Sequence, residues 1–480
     1  MKISNFLIDK NKSLKDALKV INNNGKGLCF VVEDSKLLGV ITDGDIRRYL
    51  IRETELDSKV YKVMNQSFVY FHVETEASII RESLKGKIKF IPLVDDEFNI
   101  VDIANFEKTH TIPILEPVLM GNEMRYIQHC IETNWISSQG KFVKDFEELF
   151  THLHCNQPAV SVSNGTSALH LSLKTLDIGE GDEVIVPNIT FAACANAVIN
   201  SGADPVFCEI DSKSWCICPN EAEKLITSKT KAIMIVHLYG QVANLDAFKD
   251  LTKRYGIYLI EDCAEAIGSK YKDKPVGTFG DVSTFSFFGN KTISTGEGGM
   301  LLFQKKELAN KSKILRDHGM SPTKKYWHEF VGYNYRLTNI QAAIGLAQLE
   351  RFQEIVEKKM MIFQWYKSFL KNVKGISQLP LEFEISQNSN WLFTLLLEDN
   401  VDKIFLMKSL LKSGIESREV FYPLNEMPPY KSYRCSKEFI NSQRISKYGI
   451  SLPSSVNLEI RDISHICNTF KNIILKKIKL

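Results

Sequence analysis

No apolar run in this 480-residue chain approaches the ~18 residues that a membrane-spanning helix needs. No membrane partner is therefore expected. Charge of one sign is also missing, since 60 basic and 57 acidic side chains leave a net charge of +3. Such a balance supplies no field for nucleic acid or an anionic surface. The ten cysteines form no CxxC pair, and Cys216 and Cys218, separated by one residue, do not match common zinc spacings. No metal site is expected. Met1 to Lys12 is polar and mixed, unlike a secretory leader. These features together predict a reduced, cytoplasmic protein whose cysteines are mostly small core residues. The basic tail Lys476, Lys477, Lys479 reads as a solvated helix end, too short for an anchor.

What is present is ordinary globular composition, 44% hydrophobic and 24% charged. At this length two or three domains are expected, and the pattern divides them at 1–110, 111–365 and 366–480. In the first part, helical spacing over Leu14–Asn23 is followed by an apolar strand Leu28–Val32, a turn at Glu33–Lys36 and a second strand Leu37–Ile41. Thr42-Asp-Gly-Asp45 then caps a helix. The unit recurs more weakly as a helix over Ala77–Leu84 and strands Phe90–Val94 and Ile100–Ile103. On Gly39-Val-Ile-Thr-Asp-Gly-Asp-Ile-Arg47, this part resembles a tandem CBS-domain pair. The resemblance implies that Thr42 and Asp45 face the ribose of a bound nucleotide, with an adenine or guanine base. The second copy reads Asp102-Ile-Ala-Asn105 and lacks the matching pattern. A docking or dimerising unit that binds nothing fits the same residues.

From Pro113 to about residue 365, short apolar strands alternate with helices. Strands are expected at Glu183–Pro187, Pro205–Ile210, Lys231–His237, Ile257–Ile260, Val282–Phe287 and Gly299–Phe303. Buried strands separated by helices predict an α/β domain with a mostly parallel, doubly wound sheet. The tail after about residue 370, with a strand at Trp391–Leu397, a helix at Asp402–Ser413 and a strand at Glu416–Val420, predicts a smaller α+β subdomain.

Three segments carry chemistry. In Val160-Ser-Val-Ser-Asn-Gly-Thr-Ser167 a strand runs into a helix start, with Thr166 and Ser167 as caps and Gly165 permitting close backbone approach. A helix N-terminus of this kind can take phosphate, although Ser and Thr cap many helices that bind nothing. Strand Ile257–Ile260 ends in Glu261-Asp262, where parallel sheets place ligands. A carboxylate there needs a partner. A protonated pyridine nitrogen suits Asp262, and capping the next helix is the alternative. Third, a strand stops at Gly289, and Lys291 and a glycine-rich turn through Gly299 follow. A surface lysine would be unremarkable, but one held between an apolar strand and a tight glycine turn can be desolvated, which favours the neutral, nucleophilic amine. Ser286, on the same strand, could reach a phosphate.

These three segments in this order resemble the DegT/DnrJ/EryC1/StrS family of sugar aminotransferases, over roughly residues 112–480. That family has the fold type I aminotransferase architecture and uses pyridoxal 5'-phosphate. Gly289-Asn-Lys291 with Thr295-Gly-Glu-Gly-Gly299 is most similar to its GDP-perosamine synthase group. The resemblance implies conversion of GDP-4-keto-6-deoxymannose and L-glutamate into a 4-amino sugar for surface polysaccharide such as lipopolysaccharide O-antigen. Lys291 would bind the cofactor as a Schiff base and shuttle protons, and Asp262 would meet the pyridine nitrogen. Glu265 would lie near the ring oxygen, while Gly165, Thr166, Ser167 and Ser286 would hold the phosphate. Phe191 would pack near the ring, or be core. Asn334 would reach across a dimer interface to the partner's cofactor, which implies a homodimer or higher oligomer. Trp135, Ser137 and Ser138 would line the sugar-nucleotide pocket, with Tyr326, His328 and Arg418 as further substrate contacts.

Other functions compete with this one. A 3-dehydratase on the same scaffold carries His where Lys291 stands. Amination of a UDP- or dTDP-linked sugar, or at C3, is excluded by no residue. A nucleotide-sensing regulator with a degenerate enzyme domain would be expected to lack Lys291 or Asp262, and both are present.

Overall fold

The computed structural model describes residues 3–478 apart from 54, 76–78, 81–82, 85–87 and 106–110. Half of the helix expected over Ala77–Leu84 lies outside the described residues, as do the side chains from 476 onward. Two compact units are present: residues 1–112 with Leu411–Gly414, and Pro113–Leu410 with Ile415–Leu480. The boundary expected at 365/366 falls inside one continuous helix, Phe352–Leu370. No helix among the described residues is long and apolar enough to cross a membrane.

The first unit contains the same three-stranded motif twice. Strand Leu7–Asp9 runs parallel to Leu28–Glu33, which pairs antiparallel with Lys36–Thr42. Phe71–His72, Phe90–Val94 and Ile100–Asn105 repeat that order and those directions. Even the register irregularity recurs, at Val31/Val32 in one copy and Leu93/Val94 in the other. The copies share a core of Phe6, Phe30, Leu37, Val94, Ile100 and Ile103. Their hairpin turns are also tied together, as Leu37 N donates to Phe98 O and Ile100 N to Ser35 O. Helix Leu14–Asn24 forms because Ser13 caps its start, Leu14, Ala17 and Ile21 bury one face, and Gly25 at φ 63 ends it.

The second unit is built on a seven-stranded sheet. In spatial order its strands are Ala159–Val162, Gly299–Phe303, Val282–Ser286, Tyr258–Asp262, Thr230–Val236, Glu183–Pro187 and Asp204–Cys208. Five neighbouring strands are parallel, while Gly299–Phe303 runs antiparallel to both its neighbours. The sheet is thus mostly parallel, as the alternating pattern predicts, with a reversal that the pattern did not show. Strands such as Gly299–Phe303 are buried along their whole length, which is why they read as unbroken apolar runs. Each large apolar side chain so buried contributes roughly 1.5–3 kcal/mol. A four-stranded antiparallel sheet of Ile376–Gln378, Phe393–Leu397, Gly449–Leu452 and Arg418–Glu419 forms the smaller α+β part. The strand expected at Glu416–Val420 is only two residues long there.

Candidate active site

Parallel neighbours Thr230–Val236, Tyr258–Asp262 and Val282–Ser286 end together, and their carboxyl ends open into a cavity of about 640 Å³. That is the size of a small-molecule cofactor site. Asp262 is the last residue of its strand, two residues beyond the expected end. Its neighbour Glu261 is 0% exposed and accepts hydrogen bonds from the amides of Gly277, Phe279 and Gly280 and faces His237 Nε2 at 3.1 Å. Burial alone would raise its carboxyl; the His237 and backbone hydrogen bonds hold it below the usual range instead. Among the described residues, Glu261, His237 and Cys263 are the one cluster with metal-ligand spacing. His237 Nδ1 already accepts from Ala243 N, and Glu261 is committed to its donors, so this cluster is a structural anchor.

Lys291, Asp262 and Glu265 all line the cavity. Lys291 Nζ stands 3.9 Å from Glu265 Oε1. Asp262 Oδ1 accepts from Ala264 N at 2.9 Å and Oδ2 from Cys194 Sγ at 3.1 Å. Burial pushes Asp262 up and Glu265 up to about 7, and it pushes Lys291 down against the pull of both carboxylates. A poorly solvated amine between two carboxyl groups can shed its proton for chemistry on an aldehyde. Asp262, short of a full cationic partner, suits a protonated ring nitrogen.

Gly165, Thr166 and Ser167 begin helix Gly165–Thr175, whose N-terminus lines the same cavity together with Ser286. The cap is not Thr166 or Ser167, however. Asn164, in extended backbone, caps the helix, and its Oδ1 takes the Ser167 amide at 2.8 Å. The Ser167 amide is therefore committed within the helix, leaving its hydroxyl as the group it could offer an anion. A Cβ on Gly165 would lie 2.8 Å from Ser286 Cβ, and one on Gly299 would lie 2.5 Å from Asn164 O. The helix start thus lies so close to the Ser286 side chain and the Gly299 backbone that only glycine fits at 165 and 299, an arrangement that suits a phosphate.

Phe191, 60% exposed, borders the cavity with its ring 6.1 Å from Phe421. It is not core. Arg418 also lines the cavity. Trp135, Ser137, Ser138, Tyr326 and His328 are absent from its lining on this chain, and Asn334 is exposed, its Oδ1 accepting from Arg336. The Trp135–Gly140 segment is instead fixed by a residue that sequence reasoning missed. Buried Asn339 donates from Nδ2 to Trp135 O and from its amide to Ser137 O, and its Oδ1 accepts from Phe142 N. Trp391, Tyr239 and Cys194 were also missed. Trp391 carries Lys291 Nζ 4.1 Å above its ring. Tyr239 stacks against it at 5.9 Å and 7°.

In the first unit, Thr42 and Asp45 form a capping box, with Thr42 Oγ1 donating to Asp45 Oδ2 at 2.6 Å. Arg48 pairs with the other oxygen of Asp45.

The DegT/DnrJ/EryC1/StrS aminotransferase family matches residues 117–471, and the CBS domain matches residues 2–52. A GDP-perosamine synthase from Escherichia coli O157:H7 is 44% identical over 358 residues, covering 75% of this chain and 97% of that protein. A GDP-perosamine synthase from Vibrio cholerae is likewise 44% identical over 363 residues, covering 75% and 98%. Among solved structures, the putative sugar aminotransferase Spr1654 from Streptococcus pneumoniae, in its PMP form, superposes with a TM-score of 0.72 at 27% identity. It covers 77% of this chain and 99% of that one. Pyridoxal phosphate is the cofactor of this group, and the amine, buried acid and phosphate cradle fit it. The chain belongs to the DegT/DnrJ/EryC1/StrS aminotransferase family and is a pyridoxal-phosphate-dependent sugar aminotransferase carrying an N-terminal CBS domain.

Proposed function

We propose that this enzyme transfers the amino group of L-glutamate to C4 of GDP-4-keto-6-deoxy-D-mannose, giving GDP-perosamine and 2-oxoglutarate. The observation that carries this reading is the 40–44% identity to three GDP-perosamine synthases along 97–98% of their length. The product would feed a surface polysaccharide, and the ten free cysteines suit a cytoplasmic setting.

Bound in the cavity, pyridoxal phosphate supplies an electron sink for the carbon that bears the amino group. The chain's own residues do the rest. Asp262 would pair with the ring nitrogen and favour its protonated form, and Lys291 would hold the cofactor and carry the proton at the reacting carbon. Glu265 keeps the Lys291 amine in place before substrate arrives. Gly165, Thr166, Ser167 and Ser286 would hold the phosphate, and Phe191 would pack near the ring. Arg418 draws in the carboxylates of glutamate. Asn334, Trp135, Ser137, Ser138, Tyr326 and His328 lie outside their own chain's cavity, so in this reading they act at a partner's, and the working unit is at least a homodimer. Incubation with glutamate and a panel of 4-keto sugar nucleotides, with product identification, tests the assignment. Amination of a UDP- or dTDP-linked sugar in preference to the GDP-linked one would overturn it.

For residues 1–110 we propose a regulatory unit that binds an adenine or guanine nucleotide. The twofold repeat and the CBS match support this. Arg48 must release Asp45 for a ribose to engage it. Calorimetric titration with AMP, ATP and GDP sugars tests it, and the absence of heat with all of them would leave a docking unit.

A further inference from the structure

Helix Phe352–Leu370 turns one lysine inward. Lys359 is 1% exposed, and burial pulls its ammonium down to about 7. A buried amine is costly unless its donors are used. Nζ of Lys359 donates to the carbonyls of Trp391 at 2.7 Å and Ser454 at 2.6 Å. The crevice beside it is also lined by Glu116, Arg351 and Lys291.

Trp391 links this buried amine to the site. Its backbone is gripped by Lys359, its ring stacks on Tyr239, and its Nε1 donates to the carbonyl of Asn290 at 2.6 Å. Over the face of that ring stands Lys291 Nζ, 4.1 Å from the centroid, where the ring quadrupole attracts a cation. One chain of contacts therefore runs from Lys359 through Trp391 to the Lys291 amine and to the peptide that precedes it.

We propose that Lys359 is a positioning residue for the transamination, clamping the backbone of Trp391 so that its indole forms a fixed seat for the Lys291 amine. The inference rests on the reading of Lys291 as the cofactor-binding amine. A fixed seat keeps that amine at attacking distance from an incoming aldehyde. Without a fixed indole the amine is left to its polar surroundings alone, Glu265 at 3.9 Å with Asp262, Arg418 and Cys194.

The test uses full-length protein freed of cofactor. Pyridoxal phosphate is added, the adduct is trapped with borohydride, the modified peptide is identified by mass spectrometry, and the capture rate is followed against pH. In Lys359→Met and Trp391→Leu the rate falls about fivefold to tenfold, and the pH of half-maximal capture moves down because the ring no longer favours the ammonium. Lys359→Arg, which can donate to both carbonyls, restores both. A merely structural role would lower the urea midpoint and leave the pH profile where it was. Adducts on a lysine other than 291 would defeat the reading of Lys291 itself. Capture at Lys291 with wild-type rate and pH profile in both Lys359→Met and Trp391→Leu would overturn the clamp. If Lys359→Met does not fold, a wild-type profile in Trp391→Leu overturns it.

Discussion

Cys194 Sγ donates a hydrogen bond to Asp262 Oδ2 at 3.1 Å. Burial holds the thiol well above its usual pKa, so the donor keeps its proton. Because burial also pushes Asp262 up, each donor to its carboxylate helps keep it ionised. Cys194→Ala should weaken pyridoxal phosphate retention by about 1 kcal/mol, or roughly fivefold in Kd. Cys194→Ser, which keeps a donor, should stay near wild type. Titration of the cofactor's visible absorbance measures both.

Lys291→Ala should lower amino-sugar formation on the order of 10³-fold or more, since nucleophile and proton carrier are lost together. The same variant should form no borohydride-stable adduct at that position. Substantial turnover in Lys291→Ala, followed by product chromatography, would refute its assigned role.

Glu265 carries a pH signature. Its carboxyl rises from the usual 4.5 to about 7 on folding. Between those values the unfolded chain has lost a proton that the folded chain keeps. Stability attributable to this group is present below about 4.5 and lost as pH rises through about 7. In cofactor-free protein this amounts to on the order of 1–3 kcal/mol. Glu265→Gln should flatten that part of the stability profile, measured by urea unfolding between acid and neutral pH.

Gly140 tests the Trp135–Gly140 segment. A Cβ at Gly140 would overlap the Asn339 side chain that ties Trp135 and Phe142 together, next to the Asn339 backbone amide that holds Ser137. Gly140→Ala should raise KM for the sugar nucleotide about tenfold with a smaller change in kcat, as expected when binding contacts outside the chemistry are displaced. Steady-state kinetics in both substrates separate the two parameters, and an unchanged KM would detach this segment from substrate binding.

The legible parts of the molecule were those whose physics is local. Asp262 ends one apolar strand and Lys291 follows another that stops at Ser286, three residues before the expected Gly289, while the buried strand Gly299–Phe303 matches its apolar run residue for residue. The helix cap was misplaced by a few residues because Ser167 and Thr166 compete in sequence with Asn164, and only backbone geometry decides which side chain accepts. Trp391, Tyr239 and Phe421 come from distant stretches and meet only after the chain has folded, so no spacing marks them. Lys359 sits in an amphipathic helix where a lysine reads as surface, and only tertiary packing turns it inward. The reversed strand Gly299–Phe303 is equally silent, since direction leaves no trace in hydrophobicity.

Glu261 never faces the cavity, yet it sets how the cavity receives its occupant. Its carboxylate draws three successive-loop amides and His237 onto one point directly before Asp262. The rigidity of the strand end is therefore settled during folding, and little ordering entropy remains to oppose association. The empty protein should thus capture cofactor quickly and repeatedly, tolerating its loss and return without refolding. A looser strand end would instead be expected to make the coenzyme a folding partner.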